Sequence, residues 1–209
     1  MPLIHKQEGP LNTQMGIWKI TELEDDLIKK LTFTDIMIKQ LCQIKHETKR
    51  LEWLASRLLL QQLLNLPPSI SYSANGKPYI KNLDIHLSIS HTNGYAAVIT
   101  SAQKPTGIDI EYPSTRIGRL VSRFCNTIEQ QQFDKIGKEK GSAIVWCAKE
   151  TIYKIVDIPG LKFKEDIIIE KLSKNDSGTL QAKIKISDKW KSLTLHYRIT
   201  AEFYLVWYW

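Results

Sequence analysis

The sequence lacks what would mark a secreted, membrane-spanning or metal-clustered protein. Cysteine is scarce: Cys42, Cys125 and Cys147 are the three in 209 residues. They are widely spaced and form no Cys-x-x-Cys pair, which excludes a zinc-ribbon or dithiol motif and makes buried thiols in a reducing compartment the expectation. No apolar stretch approaches the roughly 20 residues that a spanning helix needs. The longest, Phe203–Trp209, has the length of a strand. The opening residues MPLIHKQEGPLNTQ show no basic start followed by an apolar run, so no signal peptide, no membrane partner and a cytoplasmic location are expected. Repeats, low-complexity tracts and blocks of like charge are all missing. So are GxGxxG, GxxxxGK[ST] and GxSxG. His46-Glu47 begins as HExxH does, but Arg50 stands where the second histidine belongs.

What is present is an ordinary globular composition, 43% hydrophobic and 24% charged, enough for one domain or two small ones. A chain of this length buries roughly 70% of the surface that its unfolded form exposes and needs no disulfides to hold a core. The net charge is +7, spread over both halves: 12 Lys/Arg against 9 Asp/Glu in residues 1–104, and 17 against 13 in residues 105–209. Even spreading suits a compact anionic ligand or an acidic protein surface better than a nucleic-acid track.

Hydrophobic periodicity sets the expected elements. A short strand over Gly16–Ile20 precedes a helix over Thr21–Leu31, with Thr21 as N-cap and Glu24 completing a capping box. Leu51, Leu54, Ala55, Leu58, Leu59 and Leu63 place one apolar face on a helix from His46 to Leu64, ended by Pro67-Pro68. Asn75-Gly76 is a turn between short extended pieces. Thr92-Asn93-Gly94 links strands at His86–Ser90 and Tyr95–Thr100 as a hairpin. Gln103–Thr106 reads as a joint leading into a strand at Gly107–Tyr112. Two or three helices are expected between Thr115 and Asp157, then strands at Asp166–Leu172, Thr179–Ile186, Leu193–Thr200 and Glu202–Trp209. Both halves read as strand, helices, then strands. The expected fold is α+β with two similar α+β halves, residues 1–104 and 105–209.

Three segments carry possible chemistry. In Gly107-Ile108-Asp109-Ile110-Glu111, strand alternation puts both carboxylates on one face. Two hard oxygen donors there suit Mg²⁺; an edge strand with a wet acidic face reads equally from the pentapeptide. In Trp146–Lys154 a helix aligns Trp146, Glu150 and Lys154 in one i, i+4 row. That row is either a surface ion pair beside a core tryptophan, or a third metal ligand or general base with a phosphate-facing lysine. Ser88-Ile89-Ser90-His91-Thr92 ends a strand with a hydroxyl and an imidazole able to grip an anion.

In this order and spacing the three segments SISHT, GIDIE and WCAKETIYK resemble the 4'-phosphopantetheinyl transferase superfamily, in its longer form that activates peptide and polyketide synthetases. The resemblance implies a pseudo-dimeric α+β fold. It implies transfer of 4'-phosphopantetheine from coenzyme A to a serine of an acyl- or peptidyl-carrier protein, with release of 3',5'-ADP and dependence on Mg²⁺. By the same resemblance Asp109 and Glu111 match the metal-binding acidic pair. Glu150 matches the glutamate that completes the site and activates the serine, and Lys154 the lysine that steadies the departing phosphate. Ser90 and His91 match the pair that holds coenzyme A near its 3'-phosphate. Lys77, in Gly76-Lys77-Pro78, matches the lysine that meets the nucleotide phosphates. Arg50 matches a nucleotide-binding arginine on the early helix, and Arg57 is a second candidate for that role. Thr151 replaces the small residue usual after Lys-Glu. No counterpart of the family's further N-terminal basic contacts is visible around Thr32–Ile38.

Arg116, Arg119 and Arg123, with Leu120 and Phe124, read either as a docking surface for an acidic carrier or as a solvated helix face. Two internal halves make a monomer the expected state. The alternatives are a non-catalytic coenzyme A or carrier-protein binder of the same fold, and a basic nucleic-acid-binding module. Even charge and the absence of an RNP-like motif argue against the last, so no nucleic-acid partner is expected.

Overall fold

The computed structural model describes residues 2–67, 69–81 and 83–209, with the side chains of Asp134 and Lys135 outside the description. It divides into two compact units after Thr106, with the C-terminal Trp209 counted in the first. No helix among the described residues is long and apolar enough to cross a membrane.

The first unit opens with a hairpin of β1 (Leu3–Gly9) and β2 (Thr13–Lys19). Only the β2 part was expected. Burial alternates along β1 although its sequence, LIHKQEG, does not alternate between polar and apolar residues, and Leu11 and Asn12 turn the chain with left-handed backbone. Three helices follow: α1 (Glu24–Lys30), α2 (Asp35–Gln43) and α3 (Glu47–Leu64). The expected capping box at Thr21 does not form. Leu23 is the N-cap, and Glu24 is drawn instead to Arg50 on α3. The unexpected α2 starts at Thr34, whose hydroxyl accepts from the Met37 amide. Asn65, in left-handed conformation, ends α3 ahead of Pro67; Pro68 lies outside the described residues.

The short pair β3 (Ile70–Tyr72) and β4 (Pro78–Ile80) brackets the Asn75-Gly76 turn, where Gly76 takes φ +83°. Next come β5 (His86–Thr92) and β6 (Tyr95–Ser101), joined by the two-residue turn Asn93-Gly94 that the sequence signals. The antiparallel sheet runs β1-β2-β6-β5. Leu54, Leu58, Leu59 and Leu63 of α3 pack into its core with Ala96, Val98 and Leu87.

The second unit begins with β7 (Gly107–Glu111). Four one-turn helices follow, α4 (Thr115–Arg119), α5 (Val121–Phe124), α6 (Thr127–Gln131) and α7 (Phe133–Ile136), before the long α8 (Lys138–Val156). The expected two or three helices are thus more finely divided, because a separate Asn126–Glu129 capping box starts α6 and Gly137 at φ +88° starts a new helix after α7. A further turn, α9 (Phe163–Asp166), leads to β8 (Ile167–Lys171), β9 (Ser177–Ile186), β10 (Lys189–Ile199) and β11 (Tyr204–Tyr208). The sheet order is β7-β11-β10-β9-β8, all antiparallel.

The units share a plan. In each, a strand before the helices (β2, β7) pairs with the last strand (β6, β11), which pairs with its predecessor, and one long helix (α3, α8) packs on the sheet. The protein is therefore α+β with two similar α+β units.

Candidate functional site

In the second unit the site is built by β7 lying along α8. Gly107 makes this approach possible: a Cβ there would stand 2.6 Å from the Thr151 carbonyl oxygen and 2.8 Å from Ile155. Thr151, the departure noted after Lys-Glu, is fully buried and its hydroxyl donates to the Val206 carbonyl at 3.1 Å, tying α8 to β11. Period two along the strand then points Asp109 and Glu111 at the helix, as Gly107 does.

The i, i+4 row of α8 meets them. Lys154 Nζ donates to Asp109 Oδ1 at 2.7 Å and to the Ile108 carbonyl at 3.0 Å. Trp146 Nε1 donates to Glu111 Oε1 at 3.1 Å. The Trp146 indole is itself wedged against Phe124 and Phe163, with centroids 5.1 and 5.8 Å away. Asp109 is only 5% exposed. The acidic face of this edge strand is therefore covered rather than wet.

Burial and mutual repulsion govern the charges. Burial, then the Asp109 carboxylate, pushes Glu150 up to about 7, although Lys154 opposes the shift. Burial and Asp109 also raise Glu111, against the Trp146 hydrogen bond and the Arg116 charge. Three acids thus share a pocket of negative charge that one lysine does not neutralise. Among the described residues no three His, Cys, Asp or Glu side chains converge as a ready metal cage. The donor set nevertheless fits a hard divalent cation: three carboxylates of surplus charge, with an ammonium already drawn onto one of them.

In the first unit, Ser90 is buried near the end of β5 and His91 follows it, exposed. His91 Nδ1 lies 3.0 Å from Glu52 Oε2 on α3. Lys77 sits in the β3–β4 turn, its amide donating to Ser73 Oγ at 3.1 Å. Arg50, expected to meet the nucleotide, is engaged within the first unit. It donates Nε and one terminal nitrogen to Glu24, and its other terminal nitrogen to the carbonyls of Leu41 (2.8 Å) and Ile44 (3.2 Å). It locks α1 and the end of α2 to α3, and a nucleotide would have to displace Glu24 to reach it.

Arg57, the second candidate, is buried. It is 3% exposed, lies 4.3 Å over the Trp53 ring and donates to Ser56 Oγ and the Tyr72 hydroxyl. Its Nε is buried without a hydrogen bond, and burial lowers its pKa. No described carboxylate pairs with it, so it retains a cation's demand for an anion. Arg50→Met is expected to cost about 2 kcal/mol, the scale of charge-assisted hydrogen bonds, and to lower Tm by roughly 4–8 °C. Coenzyme A affinity measured by calorimetry should stay within about twofold for a purely structural residue.

Arg116, Arg119 and Arg123 are exposed, but Phe124 is buried in the core and cannot serve as an apolar docking residue. Sequence reasoning missed Glu52, Trp146 as partner of Glu111, and Lys149. Two of these carried a signal. Glu52 shares its helical stripe with Ala55 and Leu59, and Lys149 shares one with Val145 and Ile152, so each is a charge on an apolar face.

Comparison with known proteins bears on the second unit most directly. Residues 105–205 match the 4'-phosphopantetheinyl transferase superfamily. Two relatives named 4'-phosphopantetheinyl transferase AcpT, from Salmonella typhi and Salmonella typhimurium, are each 27% identical over 120 residues, 54% of this chain and 62% of theirs. The chain therefore spans less than two thirds of the length of these curated relatives. The β7–α8 site lies wholly within the matched residues, which make up just under half of this chain and are similar to the 4'-phosphopantetheinyl transferase superfamily.

Proposed function

We propose that the protein transfers the 4'-phosphopantetheine group of coenzyme A to a serine hydroxyl of an acyl- or peptidyl-carrier protein, releasing 3',5'-ADP. The observation that carries this reading is the Lys154–Asp109 ion pair on the β7–α8 face, close enough to Glu111 and Glu150 for their charges to interact, inside the stretch that matches the family model.

A serine hydroxyl is a weak nucleophile and a diphosphate repels it, so the site must remove a proton and manage negative charge. Glu150, raised to about 7, is near-matched to accept the serine proton at neutral pH. The serine oxygen forms its bond to the phosphorus that bears the pantetheine arm. The bridging phosphorus–oxygen bond breaks, and its electron pair leaves with the nucleotide. Lys154 would turn its ammonium to steady that departing oxygen, while Trp146 holds Glu111 by a hydrogen bond. Asp109, Glu111 and Glu150 would hold Mg²⁺, which supplies charge neutralisation to the diphosphate. For the nucleotide end, Arg57, Lys77, Ser90 and His91 of the first unit provide cations and a hydroxyl. The net charge of +7 speeds encounter with both coenzyme A and an acidic carrier.

Intact-mass spectrometry of a panel of apo carrier proteins incubated with the protein, coenzyme A and Mg²⁺ tests the reading. A gain of one phosphopantetheine, blocked by EDTA, is expected on at least one carrier. Coenzyme A binding with no gain on any carrier would point to a non-catalytic binder, and absence of coenzyme A binding would overturn the proposal.

A further inference from the structure

We infer that Trp146 is a positioning residue of the acidic cluster: wedged against two phenylalanines, its indole N–H engages one oxygen of Glu111 and leaves the other for a divalent cation. The inference rests on the reading of Asp109, Glu111 and Glu150 as a cation site and deepens that reading. It adds a neutral donor, the rings that aim it, and the oxygen of Glu111 that the cation would meet.

Among the described residues, two groups approach the Glu111 carboxylate, and both come closest at the same oxygen, Oε1: Trp146 Nε1 at 3.1 Å and an Arg116 terminal nitrogen at 3.8 Å. They are not equivalent. The Arg116 side chain is 73% exposed and its contact is longer than a hydrogen bond, so solvent screens it. Trp146 is half-buried and held in place. Phe124 meets its ring edge-on at 5.1 Å, and Phe163 lies tilted against it at 5.8 Å. Phe163 also packs on Tyr153 at 5.9 Å, seven residues further along α8. The backbones of both phenylalanines are pinned in turn, since their carbonyls each accept from the Lys149 ammonium at 2.7 Å. The Trp146 N–H is thus aimed by α5 and α9 as well as by its own helix.

Neither phenylalanine nor a cationic residue would serve in its place. Phenylalanine would fill the wedge but leave Glu111 without its anchor. Lysine or arginine would hold the carboxylate but cancel the charge that a cation needs. The indole N–H is a donor without formal charge and without acceptor capacity. It therefore fixes one oxygen and leaves the negative charge of Glu111 in the cluster. Carboxylates that ligate metals are held by outer hydrogen bonds of this kind, and removing one typically costs about 10–100-fold in metal affinity. Oε2, which takes no hydrogen bond from the indole, is the oxygen left for the cation.

Mg²⁺ titrated calorimetrically into the full chain saturated with coenzyme A tests the inference, beside coenzyme A affinity measured in EDTA. Trp146→Phe keeps an aromatic ring in the wedge and removes the N–H. It should lower Mg²⁺ affinity about tenfold and leave metal-free coenzyme A affinity within about twofold. In transfer assays it should need more Mg²⁺ to reach half-maximal rate, and saturating Mg²⁺ should restore kcat to near wild type. Arg116→Met, which removes the exposed contact to the same oxygen, should change Mg²⁺ affinity by no more than about twofold. A merely structural tryptophan would instead lower Tm and kcat with Mg²⁺ affinity unmoved. That result, an equal loss in Arg116→Met, or a fall in kcat that excess Mg²⁺ does not relieve, would overturn the inference and leave the transferase reading intact. Should Trp146→Phe fail to fold, Phe163→Leu decides: it loosens the wedge with the N–H in place, a smaller loss of Mg²⁺ affinity is expected, and no loss would overturn the inference. A wild type that binds coenzyme A but no Mg²⁺ would sink the cation site and this inference with it. One that binds neither would sink the transferase reading itself.

Discussion

Glutamine in place of Glu150 is expected to abolish transfer while making the metal-free protein more stable. The loss of activity follows from removing the only carboxylate on the α8 row, and a general base typically contributes about 10²–10⁴ in rate. The stability gain follows from linkage. The folded-state pKa of Glu150, about 7, lies above its ordinary 4.5, so the native state holds the proton more tightly than the unfolded chain. Native stability is therefore full below about pH 4.5, falls as pH rises towards 7 and is flat beyond. Glutamine, unable to ionise, escapes that loss. At pH 8 the variant should gain on the order of 1–2 kcal/mol after allowance for partial exposure, and at pH 4 nothing. Thermal melts of both proteins in EDTA across this range measure the difference. Added Mg²⁺ should raise the wild-type Tm by relieving the same repulsion and narrow the gap to the variant. A variant with near-normal turnover would refute the role given to Glu150, and one equally stable at pH 4 and pH 8 would refute the charge crowding.

The second large effect concerns a fully buried lysine that the candidate site does not use. Lys149 and Glu129 are both 0% exposed. The Lys149 ammonium reaches Glu129 Oε2 at 2.9 Å and the carbonyls of Phe124 (2.7 Å), Phe163 (2.7 Å) and Ile167 (2.9 Å). Glu129 in turn accepts from the amides of Asn126 and Ile169. One buried ion pair thus fastens α8 to α5, α6, α9 and β8. Burial lowers the Lys149 pKa and Glu129 opposes the shift.

Lys149→Met would leave a buried carboxylate without its counter-charge, a change that typically costs about 3–5 kcal/mol. For a chain of this size that is a fall of roughly 6–20 °C in Tm, readable by circular dichroism. The double variant Lys149→Met/Glu129→Gln should be less destabilised than the sum of the two singles, because the orphaned charge is gone. Exact additivity would mean that the two residues act independently, contrary to the geometry. Transfer activity at a temperature where Lys149→Met stays folded should remain within about tenfold of wild type, since no catalytic group is lost.

Much of the chemistry was legible along the chain because it depends on short-range periodicity. Period two in Gly107–Glu111 put both acids on one face, and the helical row Trp146, Glu150, Lys154 put its three side chains on another; both were read without a structure. The long helix over Glu47–Leu64, the Asn93-Gly94 hairpin and the strand-rich C-terminal part were likewise written in local pattern. Local signals failed where a distant partner competed. Thr21 and Glu24 spell a capping box, yet Glu24 is taken by Arg50, 26 residues on, whose guanidinium binds more strongly than a backbone amide does. The same competition holds Arg50 in an ion pair that its sequence neighbours do not announce. The segment after Thr115 looked like two or three helices because the breaks at Leu120 and Gln132 carry no glycine or proline to announce them.

What the sequence by itself determined is the inventory: α+β composition, the two strand–helix–strand series, a net positive charge, and three motifs whose order resembles that of a known superfamily. Tertiary structure alone decided which charges face one another. Whether Asp109 meets water or Lys154, whether Arg50 or Arg57 is left with an unmet charge, and that Glu52 meets His91, are outcomes of packing between elements far apart in the chain. The physical reason is that side-chain periodicity is a property of neighbouring residues, whereas the partner and burial of a charge depend on which element the folded chain lays against it.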